Sequence, residues 1–264
     1  MKRAALTIAA FLAAGLPAGC GSDDDSAPGD DLPQGDERVE VDPADFRADV
    51  DNRYWPMRPG TRWTYREADA DGTALRVVVT ATPITKKLAN GVTARVVRDT
   101  VTQGVEVAED TFDWYAQRDD GTVWYMGEDT AEFEGSKVTS REGSWEAGKD
   151  GALPGVAMPA EPRDDMRYRQ EYYRGEAEDN GEILSTREQV QVAAGHYRDA
   201  VLTTDTTPLE PDVVEYKLYA PGVGPVLTLH ASGGGGREEL IGITRVSDSA
   251  ARAAGTAPLG AGYP

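Results

Sequence analysis

A two-residue rhythm of apolar and polar side chains runs through the middle of this chain, and it restricts the fold more than any other feature. It is clear in 62–65, 75–82, 92–101, 105–115, 122–126, 166–173, 183–192, 213–219, 226–230 and 238–246. Successive side chains of a strand point to opposite faces, so each run reads as a strand with one buried face. No stretch carries a useful helical period. Asp71-Gly72, Asn90-Gly91, Asp120-Gly121 and Asn180-Gly181 supply residues that accept positive φ in tight turns, which makes consecutive strands antiparallel. The pattern predicts an all-β domain over 53–246, a single antiparallel meander of about ten or eleven strands. Such a sheet is too wide to stay flat and should curl into a half-barrel or barrel, or split into a sandwich. Residues 140–165 interrupt the rhythm with a long loop rich in glycine and proline that also holds Trp145, and this is the expected lid over a concave sheet.

The first residues obey different physics. Met1-Lys2-Arg3 is cationic, and the apolar run that follows to Leu16 would reach about 20 Å as a helix, short of the ~30 Å hydrocarbon core of a bilayer. Residues 1–19 therefore read as a secretory leader. Leu16-Pro17-Ala18-Gly19-Cys20 resembles the lipobox of bacterial lipoproteins, with the departure that Pro17 stands where that family usually has leucine. The resemblance implies export and acylation of Cys20, holding the protein on the cell membrane or envelope with its domain outside the cytoplasm. Acyl chains contributing ~0.8 kcal/mol per buried CH₂ would suffice as an anchor. Cys20 is the only cysteine, so no intramolecular disulfide can form.

The formal charge is −19, and loss of the leader removes Lys2 and Arg3 but no acid, leaving −21. An acidic surface of this kind repels phosphate, which sets nucleic acid aside as a partner. The acids crowd into 20–52, where Asp23-Asp24-Asp25 and Asp30-Asp31 stand among few apolar residues; the segment reads as a disordered tether spanning roughly 30 Å. A calcium site there would need oxygens fixed in space, and the segment offers nothing to fix them. Glu67-Ala-Asp69-Ala-Asp71-Gly72 starts like an EF-hand loop, but its twelfth position is Val78, and a hairpin tip is the better reading. Residues 247–264 are low in complexity and read as a disordered tail.

Three aromatic strands, around Asp113-Trp114-Tyr115, Trp124-Tyr125-Met126 and Tyr168 to Tyr173, suggest a candidate site. Trp114, Trp124, Trp145, Tyr168 and Tyr172 could form a wall of rings for an apolar or glycan ligand, with Glu146, Gln170 and Glu171 as polar contacts. The same rings could equally serve as cross-strand core packing. His196 and His230 are the only histidines and no Gly-x-Ser-x-Gly elbow is present, so neither a metal site, a cofactor nor a catalytic triad is assigned. Three functions follow: a non-enzymatic binding module on the envelope, a glycosidase using carboxylates such as Glu146 and Glu171, or an adaptor without a small ligand.

The strings Tyr54-Trp-Pro-Met-Arg-Pro-Gly-Thr-Arg-Trp63-Thr-Tyr65, Asp113-Trp-Tyr-Ala-Gln117, Val123-Trp-Tyr-Met-Gly-Glu128, Gly143-Ser-Trp-Glu-Ala-Gly148 and Glu215-Tyr-Lys-Leu-Tyr-Ala-Pro-Gly-Val-Gly224 are together similar to a family of uncharacterised exported bacterial lipoproteins, with some similarity to TapB-like proteins. The resemblance runs through most of 53–246. It implies an all-β envelope protein and brings no catalytic residues with it.

Overall fold

The structure, a computed structural model, describes residues 32–69, 72–232 and 236–263. The leader, Cys20 and the acids before Leu32 lie outside these residues. The described part is almost entirely β. Its strands are β1 (Phe46–Arg47), β2 (Thr61–Asp69), β3 (Ala74–Lys87), β4 (Thr93–Gln103), β5 (Glu106–Arg118), β6 (Val123–Glu134), β7 (Lys137–Ser140), β8 (Trp145–Glu146), β9 (Leu153–Met158), β10 (Arg167–Arg169), β11 (Glu171–Tyr172), β12 (Asn180–Val192), β13 (Gly195–Thr206), β14 (Val214–Ala220), β15 (Gly224–Ser232) and β16 (Gly236–Arg245), followed by helix α1 (Asp248–Ala254).

Thirteen strands form one antiparallel path, β10-β12-β13-β14-β15-β16-β2-β3-β4-β5-β6-β9-β11, which curls into a nearly closed barrel. The antiparallel meander and its curling are as expected. Chain order is kept from β2 to β6 and from β12 to β16, and the antiparallel pairing of β16 with β2 joins the two runs. Gly91 and Gly121 adopt φ of +89° and +97° at the tips between β3 and β4 and between β5 and β6, the left-handed backbone that glycine permits. Asn180-Gly181 is not a turn. It opens β12, and Gly181 is there for space: a Cβ would come within 2.7 Å of the Tyr168 ring.

The 140–165 segment is long and irregular as expected, yet it is not a lid. β8 and β9 lie within it and both pair with β6, extending the wall. The run 166–173 is two elements instead of one. β10 ends at Arg169 and β11 begins at Glu171, so Gln170 alone separates the two edges of the barrel.

Those edges meet at a seam. Arg169 is 0 % exposed and sends Nε and Nη2 to the carbonyl oxygen of Pro154 on β9, at 3.2 and 2.9 Å. Its Nη1 donates to the carbonyls of Gly35 and Glu37, both at 2.7 Å. The backbones come so close here that a Cβ at Gly155 would lie 2.2 Å from the Gln170 carbonyl carbon, so only glycine fits.

The expected tether therefore ends sooner than the composition suggests. Residues 33–37 line the seam, β1 pairs with β5, and Val50 and Asn52 are buried. A polar segment without its own core is ordered because buried donors elsewhere require its carbonyls.

The same physics corrects the reading of the tail. α1 and the residues after it lie on β3 and β4, where Arg98 and Asp110, 0 % and 1 % exposed, form an ion pair. Arg98 also donates to the carbonyls of Ala254, Ala257 and Pro258 at 3.0, 2.9 and 3.0 Å. The Gly260 N–H and the Thr100 hydroxyl donate to Asp110. Ser247 caps α1 by accepting from the Ala250 N–H.

Candidate functional site

The inside of the barrel is not uniformly apolar. Its most telling element enters from outside the strands. Asn52, just before the first long strand, accepts from the N–H groups of Tyr54 and Trp55 at 2.8 and 3.2 Å and donates to the carbonyls of Gly121 and Pro159. Gln117 of β5 holds the same loop by accepting from the N–H groups of Asp51 and Asn52. This turn delivers the Trp55 ring between Tyr115 of β5 and Tyr219 of β14, with centroids 5.5 and 5.3 Å away. Tyr115 in turn packs on Tyr125 at 4.9 Å, and Tyr125 meets Trp145 edge-on at 5.5 Å. Five rings from four strands and one loop thus form a continuous row.

Two cavities share the walls made by Trp55, Tyr115, Lys217 and Tyr219. One, of about 200 Å³, also carries Asp99, Asp113 and Glu238 among apolar residues such as Trp63 and Val97. The other, of about 280 Å³, carries Glu128, Gln170, Glu171 and Asp179. Each cavity is lined by three carboxyl groups, and Trp55 borders both.

Burial governs the charge of these groups. It pushes Asp113 and Glu238 up to about 7 and Glu171 up to about 8. Asp99 and Glu128 are raised well above the carboxylate range, first by burial and then by the neighbouring Asp113. Asp179 is raised by burial and restrained by Lys217. Asp113 and Glu128 face each other across β5 and β6, and both approach the hydroxyl of Tyr125, at 2.8 and 3.0 Å. That hydroxyl has one proton and can donate to only one of them; the other contact requires a protonated carboxyl as donor.

Lys217 is the cation of this interior. It lies 2.8 Å from Asp205 and 3.3 Å from Glu215, and Glu215 also takes a 2.6 Å contact from His230 Nδ1. Burial works against the charges, but His230 and Lys217 hold Glu215 down at about 2, while Asp205 and Glu215 hold Lys217 well above its ordinary value. Lys217 is thus paired with two acids of its own, and as a lining residue of both cavities it also pulls Glu171, Asp179 and Glu238 downward.

Of the residues singled out from the sequence, Trp114, Trp145 and Glu146 come together around a further cavity of about 290 Å³. Lys86 lies 3.1 Å from the Trp114 ring and forms a 2.9 Å ion pair with Glu146, whose other oxygen accepts from the Ala89 N–H. Trp145 Nε1 donates to Glu171 at 2.9 Å. Gln170 lines the barrel cavity of Glu171. Tyr168 is 1 % exposed, and its hydroxyl has no hydrogen-bond partner among the described residues. Trp124 packs edge-on to Phe46 and Tyr172 pairs with Leu153; neither lines these cavities. Asp113 and Tyr115 belong to an aromatic strand named from the sequence but were not assigned a role, and Trp55, Tyr219, Lys217, Asp99 and Glu238 were not singled out. The one signal for the acids and the lysine was polar residues embedded in otherwise apolar strands. Among the described residues no cluster of three or more His, Cys, Asp or Glu is placed to hold a metal ion.

No protein-family model matches the chain. No curated protein matches it either, so the similarity to TapB-like proteins gains no support there. Among solved structures it is similar to a Bacteroides fragilis protein described as exported, with a YmcC-like fold, at 16 % identity and a TM-score of 0.41, covering 74 % of this chain and 100 % of that one. It is also similar to a protein described as a lipoprotein from Parabacteroides distasonis, at 11 % identity and a TM-score of 0.40, covering 73 % and 99 %. A third is a β-barrel-like protein of the domain of unknown function DUF1849 from Brucella abortus, at 11 % identity and a TM-score of 0.35, covering 71 % and 98 %.

Proposed function

We propose that this chain is an envelope lipoprotein, anchored through acylated Cys20, whose barrel binds a small ligand without transforming it. The observation that carries the reading is the row Tyr219, Trp55, Tyr115, Tyr125 and Trp145 beside two carboxyl-lined cavities. A core built only for stability would fill such space with apolar side chains, because each buried carboxyl without a partner opposes folding. Of the two ligand classes expected from the sequence, these walls favour the polar one. A glycan-sized molecule can lie on the rings and bond to the carboxyls, whereas an acyl chain would strand them. Native mass spectrometry of the protein purified from its host tests this, with a bound small polar molecule as the expected result; a barrel that carries nothing and takes up no polar ligand overturns it. The anchor is tested separately by labelled palmitate, whose incorporation should vanish in Cys20→Ser.

The glycosidase reading shifts to a different pair. Glu146 has both oxygens engaged, by Lys86 and by the Ala89 N–H. Asp113 and Glu128, facing each other across one hydroxyl, are the pair with the geometry for acid–base work. Release of sugar from cell-wall polysaccharide, abolished in Glu128→Gln, would establish that activity.

A further inference from the structure

We infer that the ligand is a linear organic cation with two or more amines, lying along the aromatic row with one amine in each cavity beside Trp55. The inference rests on the binding reading above and names the class of ligand.

It starts from six carboxyl groups in a definite arrangement, whose burial favours the protonated form unless a cation lies beside them. Asp99, Asp113 and Glu238 line the cavity on one side of Trp55, and Glu128, Glu171 and Asp179 line the other. Against these six acids the two linings hold one cation, Lys217, which borders both cavities and is itself paired with Asp205 and Glu215. One orphan atom points the same way: Asp99 Oδ1, in the lining of the first cavity, is buried and has no hydrogen-bond partner among the described residues. An ammonium group has three donors and no acceptor, which suits a lone carboxylate oxygen. The rings between the two acid clusters present negative π-faces, which attract a cation and accept a methylene chain. A neutral sugar would satisfy the rings and offer these carboxyls no counter-charge. A fatty acid would add one more carboxyl.

Calorimetric titration of the full-length protein in detergent, with spermidine as the probe, tests the inference. Spermidine should bind one to one and at least tenfold more tightly than butylamine. Asp99→Asn and Glu171→Gln, one on each side of Trp55, should each weaken it at least tenfold while leaving the melting temperature no lower than in the parent. Glu106→Gln, on the exposed surface, should change nothing. Binding of N-acetylglucosamine without binding of spermidine overturns the cation and leaves the binding module standing. Spermidine binding that survives both Asp99→Asn and Glu171→Gln places the cation on the acidic exterior and also overturns it. Failure of spermidine, sugar and decanoate alike, with nothing bound in native mass spectra, removes the binding reading itself.

Discussion

The guanidinium of Arg169 reaches across the barrel seam to the carbonyl oxygen of Pro154 with two of its nitrogens, at 3.2 and 2.9 Å. With Gly35 and Glu37 as its other acceptors, one side chain joins three segments that share no continuous ladder. Its charge has no carboxylate partner among its hydrogen bonds, and burial lowers its pKa while Glu37 and Asp36 oppose that from a distance. Backbone dipoles do the neutralising. Arg169→Met should therefore strand the buried Pro154 carbonyl, release the 35–37 segment from the seam and lower stability by about 3 kcal/mol, read as a fall in the urea midpoint. A loss below about 1 kcal/mol would mean that the seam closes without it.

Arg98 and Asp110 form the second buried centre, with the C-terminal segment as its cover. Arg98→Leu leaves the Asp110 carboxylate buried without its counter-charge and should cost about 3 to 5 kcal/mol. Arg98→Leu combined with Asp110→Leu should cost distinctly less than the two single changes added together. A double-mutant cycle by chemical denaturation checks this; simple additivity would contradict it.

Tyr125→Phe removes the hydroxyl shared by Asp113 and Glu128. Burial raises both groups, and this hydrogen bond pulls them back down. Without it Asp113 should titrate above its present value of about 7, visible in carboxyl infrared bands or carbon NMR shifts. An unchanged or lower value would show that Tyr125 does not donate to Asp113.

Stability should fall as pH rises. Glu171, at about 8 in the folded protein against an ordinary 4.5, keeps a proton that the unfolded chain has lost. Its contribution is complete below about 4.5 and disappears as pH climbs through 8; Asp113 and Glu238, at about 7, act in the same direction. Glu215 acts oppositely, but its contribution is lost only as pH drops toward 2, outside this window. The groups that face Glu171 are Asp179, Lys217, Asp113 and the Trp145 indole. The melting temperature should drop by several degrees, roughly 5 °C, between pH 5 and pH 8.5 at constant ionic strength. Glu171→Gln should flatten that slope, and an unaltered slope would assign it to other groups.

The long strands were legible because alternation reports directly on a wall with two faces: β2 to β6 and β14 to β16 fall where the rhythm places them. Alternation says nothing about where a run bends, so 166–173 looked like one strand although Gln170 divides two barrel edges. The segments at 33–52 and 247–263 were misread for another reason. Their order comes from Arg169, Gln117 and Arg98, residues far away in sequence whose needs leave no mark on local composition. The interior acids escaped notice because a polar residue in a strand is ordinarily assigned to solvent. In β4 both faces are covered: Asp99 points into the barrel while Arg98 and Thr100 lie beneath the tail. Trp145, Glu146 and Trp114 were found together because a tryptophan in a glycine-rich stretch needs a reason to be there.

The seam also sets a schedule. Glu37 lies 132 positions before the Arg169 side chain it satisfies, so the described residues that leave the ribosome first are among the last to find their partners. Pairing over such a separation carries a loop-closure penalty that local hairpins avoid, and topologies of this kind fold slowly. Until β10 has been made, residues 33–37 have no buried donor to order them and the β9 edge stays open. The chain can assemble most of its wall hairpin by hairpin, but it becomes a container only when its beginning returns to its middle.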